Sequence, residues 1–227
     1  MPMLGEGRLR RLMKRAAPGG GEERKATVPL LVAGDVVVME SWNIARHADR
    51  SGSGAALIPP EREAAILEWN ELGDRLNRSV RALVLRGMLS SPAALDESVA
   101  GLVPRPLRAL LRPIARIGVR YVARKHGIGG EDDEARHEGL IVPILERLRG
   151  ALAGLSGGSP CLLGDFGYAD IIMATSLQGI SPVEDRFLRL PPATRQVWTR
   201  PSLASGFADL IEWRDRLYRD HRRPGAR

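Results

Sequence analysis

Cysteine, aromatic residues and long apolar runs are all scarce in this sequence. The 227 residues include one cysteine, Cys161, which cannot form an internal disulfide and lies far in sequence from any histidine. Neither a disulfide framework nor a zinc cluster is therefore supported, and the cytoplasm is the expected compartment. Aromatic residues make up 4% of the chain, too few for a platform that stacks single-stranded bases. No apolar run approaches the roughly 20 residues that span a bilayer, so a membrane span is not predicted.

The composition favours a folded chain with a real hydrophobic core. Hydrophobic residues make up 44% of the 227 residues, enough for one large domain or two small ones. The net charge of +7 could indicate an anionic partner, but an Arg-rich, Ala- and Leu-rich composition accounts for it equally well. We therefore expect neither nucleic acid nor a membrane among the partners.

Two short apolar runs in residues 28–39 predict an antiparallel β-hairpin. The runs VPLLV and DVVVM have the length of strands, and Ala33 and Gly34 separate them at a turn. Proline cannot donate a hydrogen bond to a sheet, so we expect Pro29 among the first residues of its strand.

A helix begins directly after the hairpin, at Glu40 and Ser41. Serine is a preferred N-cap residue, and the partial positive charge at the amino end of a helix attracts a carboxylate. From the residues alone, Ser41 is therefore predicted to cap this helix with its hydroxyl group.

Helices alone are predicted from residue 61 onward. The preceding segment SGSGAALIPPE is rich in Gly, Ser and Pro, which predicts a domain boundary after residue 54. Residues 61–89 have apolar side chains at a spacing of three to four, typical of an amphipathic helix of about eight turns. Other predicted helices cover residues 7–17, 105–125, 132–155, 168–180 and 202–220.

Two separate segments resemble the glutathione S-transferase family. VPLLVAGDVVVMESWNIARHAD resembles the end of the family's thioredoxin-like, glutathione-binding domain. CLLGDFGYADIIMATSLQGISPV resembles the start of the long central helix in the family's all-helical C-terminal domain. The resemblance implies a truncated α/β thioredoxin-like part in residues 1–54, followed by an all-α domain in residues 55–227.

The resemblance also implies a glutathione site where the hairpin meets the helix. Val28 would precede the family's cis-proline, here Pro29, and present its backbone amide and carbonyl to the cysteinyl part of glutathione. Ser41 and its amide would bind the α-carboxylate of the γ-glutamyl part, while Glu40 would lie near the α-ammonium group.

The second segment departs from the family at its helix cap. Gly167 stands where the family has Ser or Thr, ahead of Asp170 at the third helical position. Glycine is an acceptable N-cap, and the Asp170 side chain can reach back to the Gly167 amide. This structural capping motif concerns the folding of the helical domain and implies no chemistry.

The resemblance supplies no catalytic residue. In the family, a Tyr, Ser or Cys in the first strand-helix segment polarises the glutathione thiol. Only 27 residues precede Val28, and none of them matches that residue. We expect a start site placed inside a longer reading frame, with a degenerate family member as the alternative.

The function implied by the resemblance is transfer of the glutathione thiolate to an electrophilic or apolar substrate, with glutathione as the substrate and no metal. The alternative is a non-catalytic relative that binds a partner or a thiol ligand. A two-fold homodimer is expected by analogy with the family. The second substrate and the subfamily are not determined by the sequence.

Two further patterns have simpler interpretations. His126 and His137 flank an acid-rich connection without the spacing of a metal site, so we expect surface histidines. Arginines recur every fourth residue opposite an apolar helix side, which could form a membrane-surface or anion-binding face. A solvated face is the preferred interpretation for these residues: Arg108, Arg112, Arg116, Arg120 and Arg124.

Overall fold

The computed structural model describes residues 29–34, 36–100, 108–125, 133–154 and 160–222. The chain divides into two compact units, Met1–Glu63 and Ala64–Arg227. In the described residues, the first unit contains a two-stranded sheet and a helix, and the second unit is mostly helical. Val28 and the predicted helix at residues 7–17 lie outside the described residues.

The secondary structure follows the predicted order of a hairpin and then helices. The predicted helix at 168–180 ends as a 3-10 turn, and that at 202–220 is interrupted at Phe207. The elements are β1 (Leu30–Ala33), β2 (Val36–Met39), α1 (Ser41–Ser51), a 3-10 turn (Pro60–Arg62), α2 (Glu63–Ser90), α3 (Pro92–Ser98), α4 (Arg108–Lys125), α5 (Asp133–Ala153), α6 (Tyr168–Ser176), a 3-10 turn (Leu177–Gly179), α7 (Pro192–Trp198), α8 (Pro201–Gly206) and α9 (Ala208–His221).

The hairpin has the predicted antiparallel pairing. Leu30 lies opposite Met39, and Ala33 lies opposite Val36 across the turn. Gly34 has a φ of 59° in that turn, a left-handed conformation that glycine adopts without a steric penalty. The hairpin prediction is therefore confirmed, and Pro29 precedes the first residue of β1, where its missing N–H costs no sheet hydrogen bond.

The long helix α2 provides much of the core of the helical unit. Its 28 residues bury one face, as the apolar spacing predicts. The contact with the second half of the unit is close, because a Cβ added at Gly179 would lie 1.9 Å from Cγ1 of Val80. The buried apolar side chains of α2 are Ile66, Trp69, Leu72, Leu76, Val80, Ala82 and Leu83.

A carboxylate from a distant part of the chain holds the start of α7. Glu97, in α3, accepts hydrogen bonds from the backbone N–H of Ala193 at 3.0 Å and of Thr194 at 2.7 Å, and from the Thr194 hydroxyl at 2.8 Å. Partial burial favours the neutral acid, but these three hydrogen bonds outweigh it and lower the pKa of Glu97. Glu97 thus caps α7, which has no side-chain cap of its own.

The arginine side of α4 is solvated as expected at Arg116, Arg120 and Arg124, but Arg112 is partly buried against α3. Arg112 forms a two-pronged ion pair with Asp96 of α3, at 2.6 and 2.5 Å, and Arg116 donates to the backbone carbonyl of Leu89 at 2.9 Å. Arg116 stays exposed, as the prediction expects, whereas Arg112 is half-buried because its ion pair draws that side of the helix toward α3. The apolar side of α4 is consequently exposed, at Leu110, Ile114, Ile117 and Tyr121.

Candidate functional site

The open end of the hairpin brings three of the predicted site residues together. Because Leu30 is paired with Met39, Pro29 just before β1 and Glu40 just after β2 are neighbours at this end. Ser41 follows as the first residue of α1. Pro29, Glu40 and Ser41 are all exposed. Val28, the fourth predicted residue, lies outside the described residues, so its role stays a prediction.

Glu40 has a strained backbone. Its φ is 70° and its ψ is 135°, close to a conformation that is nearly restricted to glycine. Across the described ranges it is the one non-glycine residue with a positive φ. Its carbonyl nevertheless accepts the first hydrogen bond of α1, from the N–H of Ile44 at 2.9 Å. Such outliers are concentrated at binding and catalytic sites, where the surrounding structure compensates their cost.

Ser41 does not cap the helix, contrary to the prediction. The chain makes its sharp turn at Glu40, so Glu40 occupies the N-cap position and Ser41 is already helical. A hydroxyl in the first helical residue is not aimed at the next amides, as an N-cap hydroxyl is. No side chain from the described part of the chain caps α1, and none receives a hydrogen bond from the Ser41 hydroxyl.

The charges around this helix start suit a zwitterion. The first turn of α1 contains no acidic residue, so its partial positive charge is not neutralised within the helix. Glu40 supplies a carboxylate directly beside it. Arg46, one turn further, is already paired with Glu63 at 2.9 Å and lies over the ring of Trp42. The arrangement can therefore bind a carboxylate at the helix end and an ammonium group at Glu40.

Asp49 fixes how the chain leaves α1, a role that sequence reasoning missed. Its carboxylate accepts hydrogen bonds from the backbone N–H of Leu57 at 2.6 Å and of Ile58 at 3.2 Å. These bonds close the loop rich in Gly and Ser back onto the helix. An acidic residue near the end of a helix, just before such a loop, is the sequence feature that could have predicted this role.

Asp170, in the second motif singled out in the sequence, caps the start of α6. Asp170 is fully buried, and its two carboxylate oxygens accept from the N–H of Leu162 at 2.8 Å and of Gly167 at 2.9 Å. Burial raises the pKa of Asp170, while these backbone hydrogen bonds act in the opposite direction. Gly167 has no side chain, so the aspartate supplies the only side-chain half of the capping box.

Other candidate centres have little support in the described residues. Cys161 is buried, with 5% of its surface exposed, as expected for a small apolar side chain. The described residues contain no group of three His, Cys, Asp or Glu side chains arranged to hold a metal. Within the same ranges, no helix has both the length and the apolar character needed to cross a membrane.

Comparison with known proteins gives one partial relationship. The chain is 41% identical over 56 residues to tetrachloro-P-hydroquinone reductive dehalogenase of Sphingobium chlorophenolicum. The match covers 25% of this chain and 23% of the dehalogenase, so the chain spans under a quarter of that protein. No family model matches the chain. No solved structure matches it either.

Proposed function

We propose that this chain is a glutathione S-transferase-like protein that binds glutathione where the hairpin meets α1. The observation that carries the proposal is the exposed start of α1, where the strained Glu40 stands beside Ser41, whose hydroxyl has no hydrogen-bond partner among the described residues. The partial match to a reductive dehalogenase of the same family supports it from the sequence side.

In this proposal the γ-glutamyl end of glutathione lies across the helix start. Its α-carboxylate accepts hydrogen bonds from the Ser41 hydroxyl and from backbone N–H groups of the first turn. Its α-ammonium group lies against the Glu40 carboxylate. Glu40 and Ser41 are both exposed at this helix start, and we attribute the backbone strain of Glu40 to ligand binding rather than to packing.

The chemistry that follows is thiolate transfer to an electrophilic carbon. The sulfur–carbon bond forms as a leaving group departs with its electron pair, and the protein contributes by binding and orienting the thiol. The name of the dehalogenase points to chlorinated aromatic compounds as the first electrophiles to test. The residue that polarises the thiol is not assigned.

Isothermal titration of glutathione into the full chain tests the binding site. We expect Ser41→Ala to weaken glutathione by more than about tenfold, through loss of a charge-assisted hydrogen bond of about 1.5 to 3 kcal/mol. Because Ser41 is not a cap, the variant should keep the stability of the parent chain. Ser51→Ala, at the opposite end of α1, is the matched control and should bind like the parent. Equal affinity of Ser41→Ala and the parent would refute the site.

Turnover distinguishes the transferase from a non-catalytic relative. Release of chloride from tetrachloro-P-hydroquinone in the presence of glutathione would support the transferase. Binding of glutathione without release of a leaving group, from this compound or from simpler aryl chlorides, would favour the non-catalytic alternative. The absence of any glutathione binding would refute the transferase and the glutathione site, and would leave only a relative that binds a partner or another thiol ligand.

A further inference from the structure

Helix α4 exposes a continuous apolar stripe. Leu110 is 72% exposed, Ile114 56%, Ile117 66% and Tyr121 60%. The spacing of three and four places these four side chains, hereafter the α4 stripe, along one side of the helix over about 16 Å. Large apolar side chains grouped in this way mark a surface that another structure covers.

Arginines border the α4 stripe. With 100° per residue, Arg120 and Arg124 lie along one edge of it, and both are exposed. The sequence of α4, RALLRPIARIGVRYVARK, contains five arginines, one lysine and no acidic residue. Any structure that covers the α4 stripe therefore has to present apolar groups at its centre and negative charge at its edge.

The orientation of the α4 stripe is held from the opposite side of the helix. The ion pair of Arg112 with Asp96 and the hydrogen bond from Arg116 to the carbonyl of Leu89 tie α4 to its neighbours. Rotation of the apolar side chains inward would break both contacts. Their exposure is thus a property of the folded helical unit and not of an untethered helix.

We propose that the α4 stripe docks on an anionic lipid surface. An amphipathic helix with arginines beside its apolar face lies in the plane of a membrane, with its apolar side chains among the acyl chains and its cations at the headgroups. The net charge of +7 adds long-range attraction to such a surface. This departs from the expectation drawn from the sequence, which preferred a merely solvated arginine face to a membrane-surface face.

A second copy of the chain is a poorer fit to the same surface. A two-fold antiparallel pairing of two α4 stripes would place the arginine edges of both copies side by side. The facing helices contribute no acidic residue to offset that repulsion. An anionic lipid surface meets the same arginines with opposite charge.

Co-flotation of the full chain with vesicles tests the proposal. Vesicles of phosphatidylcholine containing phosphatidylserine should bind the protein, vesicles of phosphatidylcholine alone should bind much less, and added salt should reduce binding. Ile114→Glu with Ile117→Glu should abolish flotation. Arg120→Ala with Arg124→Ala should weaken partitioning about 25-fold, from about fivefold per arginine.

Matched controls separate the α4 stripe from general surface properties. Leu140 is also exposed, at 51%, so Leu140→Glu controls for the loss of an exposed apolar side chain. Arg75→Ala with Arg216→Ala removes two exposed arginines from other helices. Both controls should float like the parent, and circular dichroism melts confirm that all variants are folded.

Flotation of the parent and the α4 variants can support or overturn the proposed lipid binding. Selective loss of flotation in the two α4 variants supports the proposal. Failure of the parent to bind anionic vesicles overturns it, as does binding that the α4 variants leave unchanged. Light scattering provides a further test: if Ile114→Glu with Ile117→Glu converts a dimer into a monomer without any lipid binding by the parent, the stripe is an interface between copies.

Discussion

Replacing Glu40 with glycine should stabilise the helix start and weaken ligand binding at the same time. A non-glycine residue at a φ of 70° costs about 1 to 3 kcal/mol, which glycine avoids. Glycine returns about 0.5 to 1 kcal/mol of this through the greater freedom of the unfolded chain. The expected net effect on local stability is therefore a gain of up to about 2.5 kcal/mol.

Hydrogen exchange is the appropriate assay, because the stability of a small unit does not dominate a global melt. Peptides that cover β2 and α1 should exchange more slowly in Glu40→Gly, by about fivefold for each 1 kcal/mol. Glutathione should bind the same variant less tightly, since the carboxylate that faces its ammonium group is gone. Glu40→Gln keeps the side-chain size and the strain, so it should lose affinity without gaining protection.

Faster or unchanged exchange in Glu40→Gly would show that the backbone of Glu40 is not strained in solution. Tighter binding of glutathione by Glu40→Gly would show that the carboxylate opposes the ligand. Either result would refute the reasoning that links this strain to function.

Two further predictions concern the helical unit. Gly179→Ala should destabilise the chain by about 1 to 3 kcal/mol in urea unfolding, because the new Cβ would lie 1.9 Å from Val80 Cγ1. Gly150→Ala is the control: its Cβ meets nothing within 4 Å, so it should stabilise α5 by up to about 1 kcal/mol. Equal effects of the two alanines would contradict the close contact. Glu97→Gln should cost about 1 to 2 kcal/mol at neutral pH. The folded-state pKa of Glu97 is lowered, so the difference in unfolding free energy between the parent and Glu97→Gln is fully present above the ordinary pKa of 4.5 and should shrink as the pH falls below it. A difference that is constant with pH would contradict the role of the charge.

Local patterns made much of the fold predictable. The hairpin is encoded by two short apolar runs and a glycine, and α2 by an apolar period that continues for 28 residues. The Asp170 cap is also local, since its bond to Gly167 spans three residues. The helices α3 and α7 were missed because each has 7 residues, too few for a helical period to emerge.

Features that depend on distant partners were not predictable from one sequence. The Arg112 side of α4 was expected to face water because its partner Asp96 lies in the unrecognised helix α3. Ser41 is not the predicted N-cap for another reason. Sequence preferences favour serine at the N-cap, but they do not reveal the positive φ of Glu40, which moves the N-cap position to Glu40. The site residues themselves came from the family resemblance, and their binding role stays a proposal.

The most direct test of the account compares two ligands on two proteins by calorimetric titration. Glutathione contains the γ-glutamyl part that is proposed to lie at Glu40 and Ser41, whereas cysteinylglycine lacks it. The account predicts that the parent chain binds glutathione more tightly than cysteinylglycine. In Ser41→Ala, the ratio of the two affinities should fall by more than about tenfold. An equal preference in the parent and in Ser41→Ala, or no preference in the parent, would contradict the proposed site.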